Sequence, residues 1–100
     1  MKNNKTNKIY ISKGNVIDDL GFSPEEAAVV KLKIDLHSEI LRVIEKKKIS
    51  PRNLEKILDE PQPRISELLN GKLSKLSPSK LTTYLHRLGR AVEVRTKAAS

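Results

Sequence analysis

The residues best suited to chemistry in this 100-residue chain lie in one short stretch, DEPQPRISELLNGK, residues 59–72. Gln62 and Arg64 have side chains that make two-point contacts with base edges, glutamine with adenine and arginine with guanine. Ser66 follows one helical turn after Gln62 and could reach a base or a phosphate. These three predict a surface that reads double-stranded DNA. The alternative is an ordinary amphipathic helix with a polar outer face.

The two prolines of this stretch resemble the end of a domain, but they suit the start of a helix. Proline lacks an N–H, and the first turn of a helix has N–H groups without intrahelical partners, so Pro61 and Pro63 would cost no hydrogen bond there. An apolar face at helical spacing follows: Ile65, Leu68 and Leu69. Asn70-Gly71 then supplies a left-handed end. The pattern predicts a short helix over roughly 62–70.

A second short helix is predicted just before it, over 51–58, beginning at Ser50-Pro51. Only three or four residues separate the two helices, which is the geometry of a helix-turn-helix. In that motif the second helix lies in the major groove, and its first residues meet the base edges.

Two further helices and two short strands complete the predicted elements. SPEE, with Ser23 and Glu26 as a capping box, starts a long helix that ends at Lys46-Lys47-Lys48. One apolar stripe of this helix predicts a core face. The second, which includes His37, indicates either a broader core face or a contact with another subunit. A fourth helix is expected to start at Pro78 and stop at Gly89, and alternation predicts strands at 8–12 and 91–95.

The flanks of the predicted groove-binding helix supply candidate contacts to the DNA backbone. The start of helix two attracts phosphate because its first N–H groups lack partners. Bases and serines also follow directly after residue 70. The candidate backbone contacts are Ser50, Arg52, Asn53, Asn70, Lys72, Lys75, Ser77 and Lys80.

The charge distribution agrees with a polyanionic partner. The net charge is +8; residues 46–100 carry thirteen bases and five acids, and residues 14–45 carry three bases and seven acids. A basic half beside an acidic half favours nucleic acid on one side. The chain has only three aromatic residues, which favours duplex DNA over single strands, since single-strand binders stack bases on aromatic rings.

Other classes find little support in the sequence. There is no cysteine, no HExxH and no glycine-rich phosphate loop, so we expect no metal, no cofactor and no enzyme activity. Asp18-Asp19 fits a turn or a helix cap, His37 a packed or interface histidine, and His86 a solvent-facing one. No apolar run could span a membrane and no secretory signal occurs, which favours a cytoplasmic protein.

The order of these motifs resembles a known family. GNVIDDLGF, a long helix, and then PQPRISELLNGKLSKLSPSKL and LGRAVEV are similar to the small Xre/Cro-type regulators, and more narrowly to the HigA-like antitoxins and stand-alone regulators. The resemblance covers about residues 14–94. It implies a mainly α, four- to five-helix Xre/Cro-like domain, a homodimer, and repression at a palindromic operator. By position it assigns Gln62, Arg64 and Ser66 to base and backbone reading, and Lys72 to phosphate.

The sequence departs from that family at two places. Pro51 stands where a backbone-contacting glutamine is usual. The turn reads Asp59, Glu60 and Pro61, so an acid replaces a buried aliphatic residue and the helix cap is lost. Two acids beside a DNA surface weaken binding. A protein-binding module that neutralises a RelE/HigB-like toxin, with little specific DNA binding, is therefore the alternative to a DNA-binding regulator.

The predicted organisation is a single helix-turn-helix domain over 14–95. A flexible basic arm over 1–13 precedes it, and a disordered tail over 96–100 follows.

Overall fold

The computed structural model of the protein describes residues 23–98. These contain four α-helices and one 3₁₀ turn, and the helices are α1 (Pro24–Lys47), α2 (Pro51–Leu58), α3 (Gln62–Leu69) and α4 (Pro78–Arg87). The 3₁₀ turn spans Leu73–Lys75. The chain divides into two compact units, residues 1–32 and 33–100, and the packing described below is that of the second unit.

Serine caps start three of the helices, as the sequence predicts. At the head of α1 the backbone N–H of Ser23 donates to Oε1 of Glu26 over 2.8 Å, and the N–H of Glu26 returns a 3.1 Å bond to the serine Oγ. The hydroxyl oxygens of Ser50 and Ser77 accept from backbone N–H groups three residues ahead, over 3.2 and 3.0 Å. Each cap satisfies an N–H that the helix leaves without a partner, which contributes roughly 1 kcal/mol.

The core of the second unit is formed by one face from each helix, together with Leu76 after the 3₁₀ turn and Leu88 after α4. Its buried apolar side chains are Leu36, Ile40, Val43, Leu54, Leu58, Ile65, Leu68, Leu76, Leu81, Tyr84, Leu85 and Leu88. They recur at three- and four-residue steps, so each helix turns one stripe inward. The two short helices contribute Leu54, Leu58, Ile65 and Leu68, all at most 2% exposed. The core therefore fixes the relative placement of α2 and α3.

The long helix also makes one polar contact with the far end of α3 and one with the 3₁₀ turn. Nε2 of His37, which is 9% exposed, lies 2.6 Å from the carbonyl oxygen of Leu68 and donates to it. Nζ of Lys33 donates to the carbonyl of Leu73 over 3.1 Å. The same carbonyl of Leu68 also accepts from the backbone N–H of Gly71 over 3.2 Å, so the His37 bond adds a second donor there and ties the end of α3 to α1. His37 is thus a packed histidine, one of its two expected roles.

Three expectations about secondary structure need correction or lie outside the described range. Residues 91–98 form no strand, because a strand requires a hydrogen-bonded neighbour and residues 23–98 supply none. The other predicted strand, 8–12, and the basic arm, 1–13, lie outside the described residues. No fifth α-helix occurs within 23–98. α3 ends at Leu69, with Asn70 capping it and Gly71 in the left-handed region at φ 70°.

Candidate nucleic-acid interface

The turn between α2 and α3 closes in three residues. Asp59 takes the left-handed conformation, φ 54° and ψ 50°, and its N–H donates to the carbonyl of Glu55. Pro61 then precedes the first residue of α3 in extended conformation and offers no side-chain cap. Its carbonyl accepts from the N–H groups of Arg64 and Ile65 over 3.0 and 3.1 Å. The predicted loss of a side-chain cap at the start of α3 is confirmed. The helix still begins directly after Pro61, because the proline ring fixes φ of that residue.

One of the two acids in this turn, Glu60, is largely enclosed and paired. The side chain of Glu60 is 13% exposed and lies 3.2 Å from Nζ of Lys80. The hydroxyl of Tyr84 donates to its Oε2 over 2.6 Å. This hydrogen bond, followed by the contacts with Lys80, holds the pKa of Glu60 below its usual range. Glu60 thus occupies the turn position where an aliphatic residue is usual, as a paired carboxylate that joins the turn to α4.

Two basic side chains fix α4 to the rest of the fold. Nη1 of Arg87 donates to the carbonyl of Leu58, the last residue of α2. Nζ of Lys47 donates to the carbonyl of Leu88 over 2.9 Å. Sequence reasoning missed these positioning roles, together with those of Lys33, Glu60 and Tyr84. No local pattern reveals them, because each partner lies at least 24 residues away.

The three predicted base-reading residues lie on the first two turns of α3 and differ in their surroundings. Gln62 is exposed. The side chain of Arg64 is 42% exposed, and its Nη1 lies 3.6 Å from Oε1 of Glu67. Ser66 is half-buried, and its hydroxyl oxygen accepts from Nδ2 of Asn70 over 3.2 Å. Gln62 and Arg64 are therefore available at the start of the helix, whereas Ser66 is already bonded within it.

Apart from Asn70, which donates to Ser66, the predicted backbone contacts divide into three groups. Ser50 and Ser77 cap α2 and α4, so their hydroxyl oxygens are occupied while their O–H groups remain able to donate. The side chains of Arg52, Asn53 and Lys72 are exposed without a role in the cap.

The two remaining lysines are held by carboxylates. Nζ of Lys75 lies 3.7 Å from Oε2 of Glu67. Lys80 lies beside Glu60, and its Nζ is 5.9 Å from the ring centre of Tyr84. Both lysine side chains remain about half exposed, at 61% and 47%. Lys72, Lys75 and Lys80 thus lie between the end of α3 and the first turn of α4, and the last two are paired with carboxylates.

Nothing in the described part of the chain forms a metal centre. No three His, Cys, Asp or Glu side chains within residues 23–98 lie close enough to hold an ion. His86 is exposed on α4, as expected. None of the helices in this range has the length and apolarity needed to cross a membrane.

Comparisons with known proteins agree with this geometry. The model of a family described as "Helix-turn-helix domain" matches residues 16–97. A solved structure described as an XRE-family transcriptional regulator is 32% identical and has a TM-score of 0.63, over 70% of this chain and 81% of that one. No curated protein sequence matches the chain. The chain belongs to the helix-turn-helix domain family, and its fold is of the XRE type.

Proposed function

We propose that this protein is a sequence-specific, double-stranded DNA-binding transcriptional regulator that acts as a repressor. The observation that carries the proposal is the fixation of α3 at both ends. The turn before α3 is joined to α4 through Glu60 and Tyr84, and its last turn is joined to α1 through His37. At its start Gln62 is exposed, and the side chain of Arg64 is 42% exposed beside Glu67. A helix held at both ends, with accessible base-reading side chains at its N-terminus, suits insertion into the major groove.

Within this proposal the residues divide into base contacts and phosphate contacts. Arg64 and Gln62 read guanine and adenine, and Ser66 reaches a base or the backbone. Contacts to phosphate position the protein on the duplex. They come from Ser50, Arg52, Asn53, Asn70, Lys72, Lys75, Ser77 and Lys80.

The DNA-bound form in this proposal is a homodimer. Two copies of α3 would then enter successive major grooves about 34–36 Å apart and require a palindromic operator. Support comes from the resemblance to Xre/Cro-type regulators. Val29 and Leu32 on α1 are each 46% exposed and offer apolar surface for a partner. Light scattering at micromolar concentration measures the oligomeric state, and a monomer would exclude the homodimer.

A second candidate role is that of an antitoxin in the HigA-like manner. It is supported by the excess of acids over residues 14–45, which suits a basic, RNA-cleaving toxin. Finding a gene for a basic RelE/HigB-like toxin next to the gene for this protein would support the antitoxin role. Co-expression of this protein should then restore the growth of cells that express the toxin. The absence of such a gene leaves a stand-alone regulator.

Selection from a random pool of duplex DNA tests the central claim. We expect a palindromic motif to be enriched, and the double variant Gln62→Ala/Arg64→Ala to enrich none under the same conditions. Failure of the unaltered protein to enrich any sequence would overturn the proposed function. That result would favour a protein-binding role instead.

A further inference from the structure

The groove-facing helix carries one acid, Glu67, three residues after Arg64. A carboxylate here opposes binding, because the phosphates of DNA are negative. Its side chain is 27% exposed, and its two oxygens face two different cations. The acid is therefore partly enclosed and paired, which suggests a role beyond solubility.

The geometry joins the predicted base-reading residue to the basic segment after α3. Oε1 of Glu67 lies 3.6 Å from Nη1 of Arg64, and Oε2 lies 3.7 Å from Nζ of Lys75 on the 3₁₀ turn. Both distances exceed those of strong hydrogen bonds. Partly exposed ion pairs of this kind are weak. They can bias the position of a side chain, yet yield when a phosphate or a base offers a better partner.

We propose that Glu67 is a positioning residue for sequence recognition, which holds the guanidinium of Arg64 at the groove-facing surface and restrains Lys75. A guanidinium has five N–H donors, and one of its terminal nitrogens faces Glu67. Donors therefore remain for a guanine edge while the ion pair persists. An arginine already held near its bound orientation loses less freedom on binding. This inference rests on the proposed DNA-binding function.

The same carboxylate should act against incorrect sequences. On non-cognate DNA, Arg64 and Lys75 gain most by turning to phosphates, which leaves Glu67 unpaired beside a polyanion. On cognate DNA, Arg64 can contact guanine and keep its partner. Glu67 thus widens the gap between specific and non-specific binding, because specificity is a difference between two affinities.

The test measures the affinity of the full chain for its selected duplex and for a scrambled duplex of equal length. With Glu67→Gln we expect the ratio of the two affinities to fall roughly tenfold, which is about 1.4 kcal/mol. Scrambled DNA should bind more tightly, because no unpaired carboxylate is then left beside the phosphates. Glu45→Gln on α1 makes the same charge change away from this helix and should leave the ratio unaltered.

A double variant separates positioning from direct reading of a base. Glutamate can accept a bond from cytosine, and an effect of that kind would persist without Arg64. In an Arg64→Ala background we expect Glu67→Gln to leave the ratio unaltered. Persistence of the full effect there would overturn the inference, as would a Glu67→Gln variant that behaves like Glu45→Gln. A wild-type protein without any sequence preference would refute the proposed function itself. Thermal unfolding of each variant verifies that it is folded.

Discussion

The hydroxyl of Tyr84 on α4 donates a 2.6 Å hydrogen bond to Oε2 of Glu60, in the turn before α3. The tyrosine is buried. That burial, and then its bond to Glu60, raise the pKa of Tyr84, so it stays a donor across the physiological range. The bond ties the start of the proposed recognition helix to a helix that lies later in the chain. Its removal should therefore affect both stability and DNA binding.

Tyr84→Phe should lower the free energy of unfolding by about 1.5–3 kcal/mol, because a hydrogen bond to a charged group is lost and the ring is kept. Urea denaturation followed by circular dichroism measures the change, with an unchanged slope expected. Thr83→Val, at an exposed neighbouring site on α4, serves as the control and should cost much less. Equal stability of Tyr84→Phe and the wild type would show that the bond contributes little.

Acid should destabilise the fold partly through Glu60. The folded-state pKa of this carboxyl is lowered, first by the Tyr84 hydrogen bond, whereas an unfolded glutamate titrates near pH 4.3. Its contribution is therefore fully present above about pH 4.3 and is lost as pH falls through the lower folded value. Glu60→Gln should flatten the loss of stability below about pH 4.3.

Glu39 provides a control for the effect of Glu60 on stability at low pH. Its pKa is also lowered, first by a hydrogen bond from Arg42, but its side chain is 35% exposed against 13% for Glu60. Solvent screens exposed ion pairs. Glu39→Gln should therefore reduce the loss of stability at low pH less than Glu60→Gln does. Unfolding curves at a series of pH values measure both effects. A larger effect of Glu39→Gln than of Glu60→Gln would contradict the role given to Glu60.

Substitutions of base-contacting and phosphate-contacting residues should have different effects on DNA affinity. Arg64→Ala should cost about 1–3 kcal/mol on the selected duplex and relax the preference at one base pair. Lys72→Ala should weaken all sequences alike and reduce the salt slope by about 1. Fluorescence anisotropy titrations at several salt concentrations give both quantities. An Arg64→Ala variant with unaltered affinity for the selected duplex would refute α3 as the recognition helix.

The contact between His37 and Leu68 should be needed to hold the end of α3. His37→Leu removes one donor to the Leu68 carbonyl, which keeps its bond from the Gly71 N–H, so the loss should be that of a single hydrogen bond, about 0.5–1.5 kcal/mol. His37→Gln keeps an N–H donor and should recover part of that loss. Thermal unfolding of the three proteins checks the order, with wild type most stable and His37→Leu least. A His37→Leu variant as stable as wild type would show that the carbonyl does not need this donor.

Local signals were sufficient for the helices. Serine before proline, an apolar residue at every third or fourth position, and Asn70-Gly71 predicted the starts and ends of α2 and α3 within one residue. These signals act within one or two turns, so the sequence shows them directly. The predicted strand at 91–95 is not confirmed within residues 23–98, because alternation describes the chain alone and a strand also needs a partner.

The sequence by itself determined the four helices, the helix-turn-helix order and the exposed candidates Gln62 and Arg64 at the start of α3. Only the tertiary structure decided what the acids do. Glu60 looked like a defect in the turn, yet the fold brings Tyr84 and Lys80 to it from α4. Glu67 lies three residues after Arg64 on the same helix, but only the fold places Lys75 beside its second carboxylate oxygen. Charge is written in the sequence, but whether a charge is buried, paired or free depends on residues that only folding brings together.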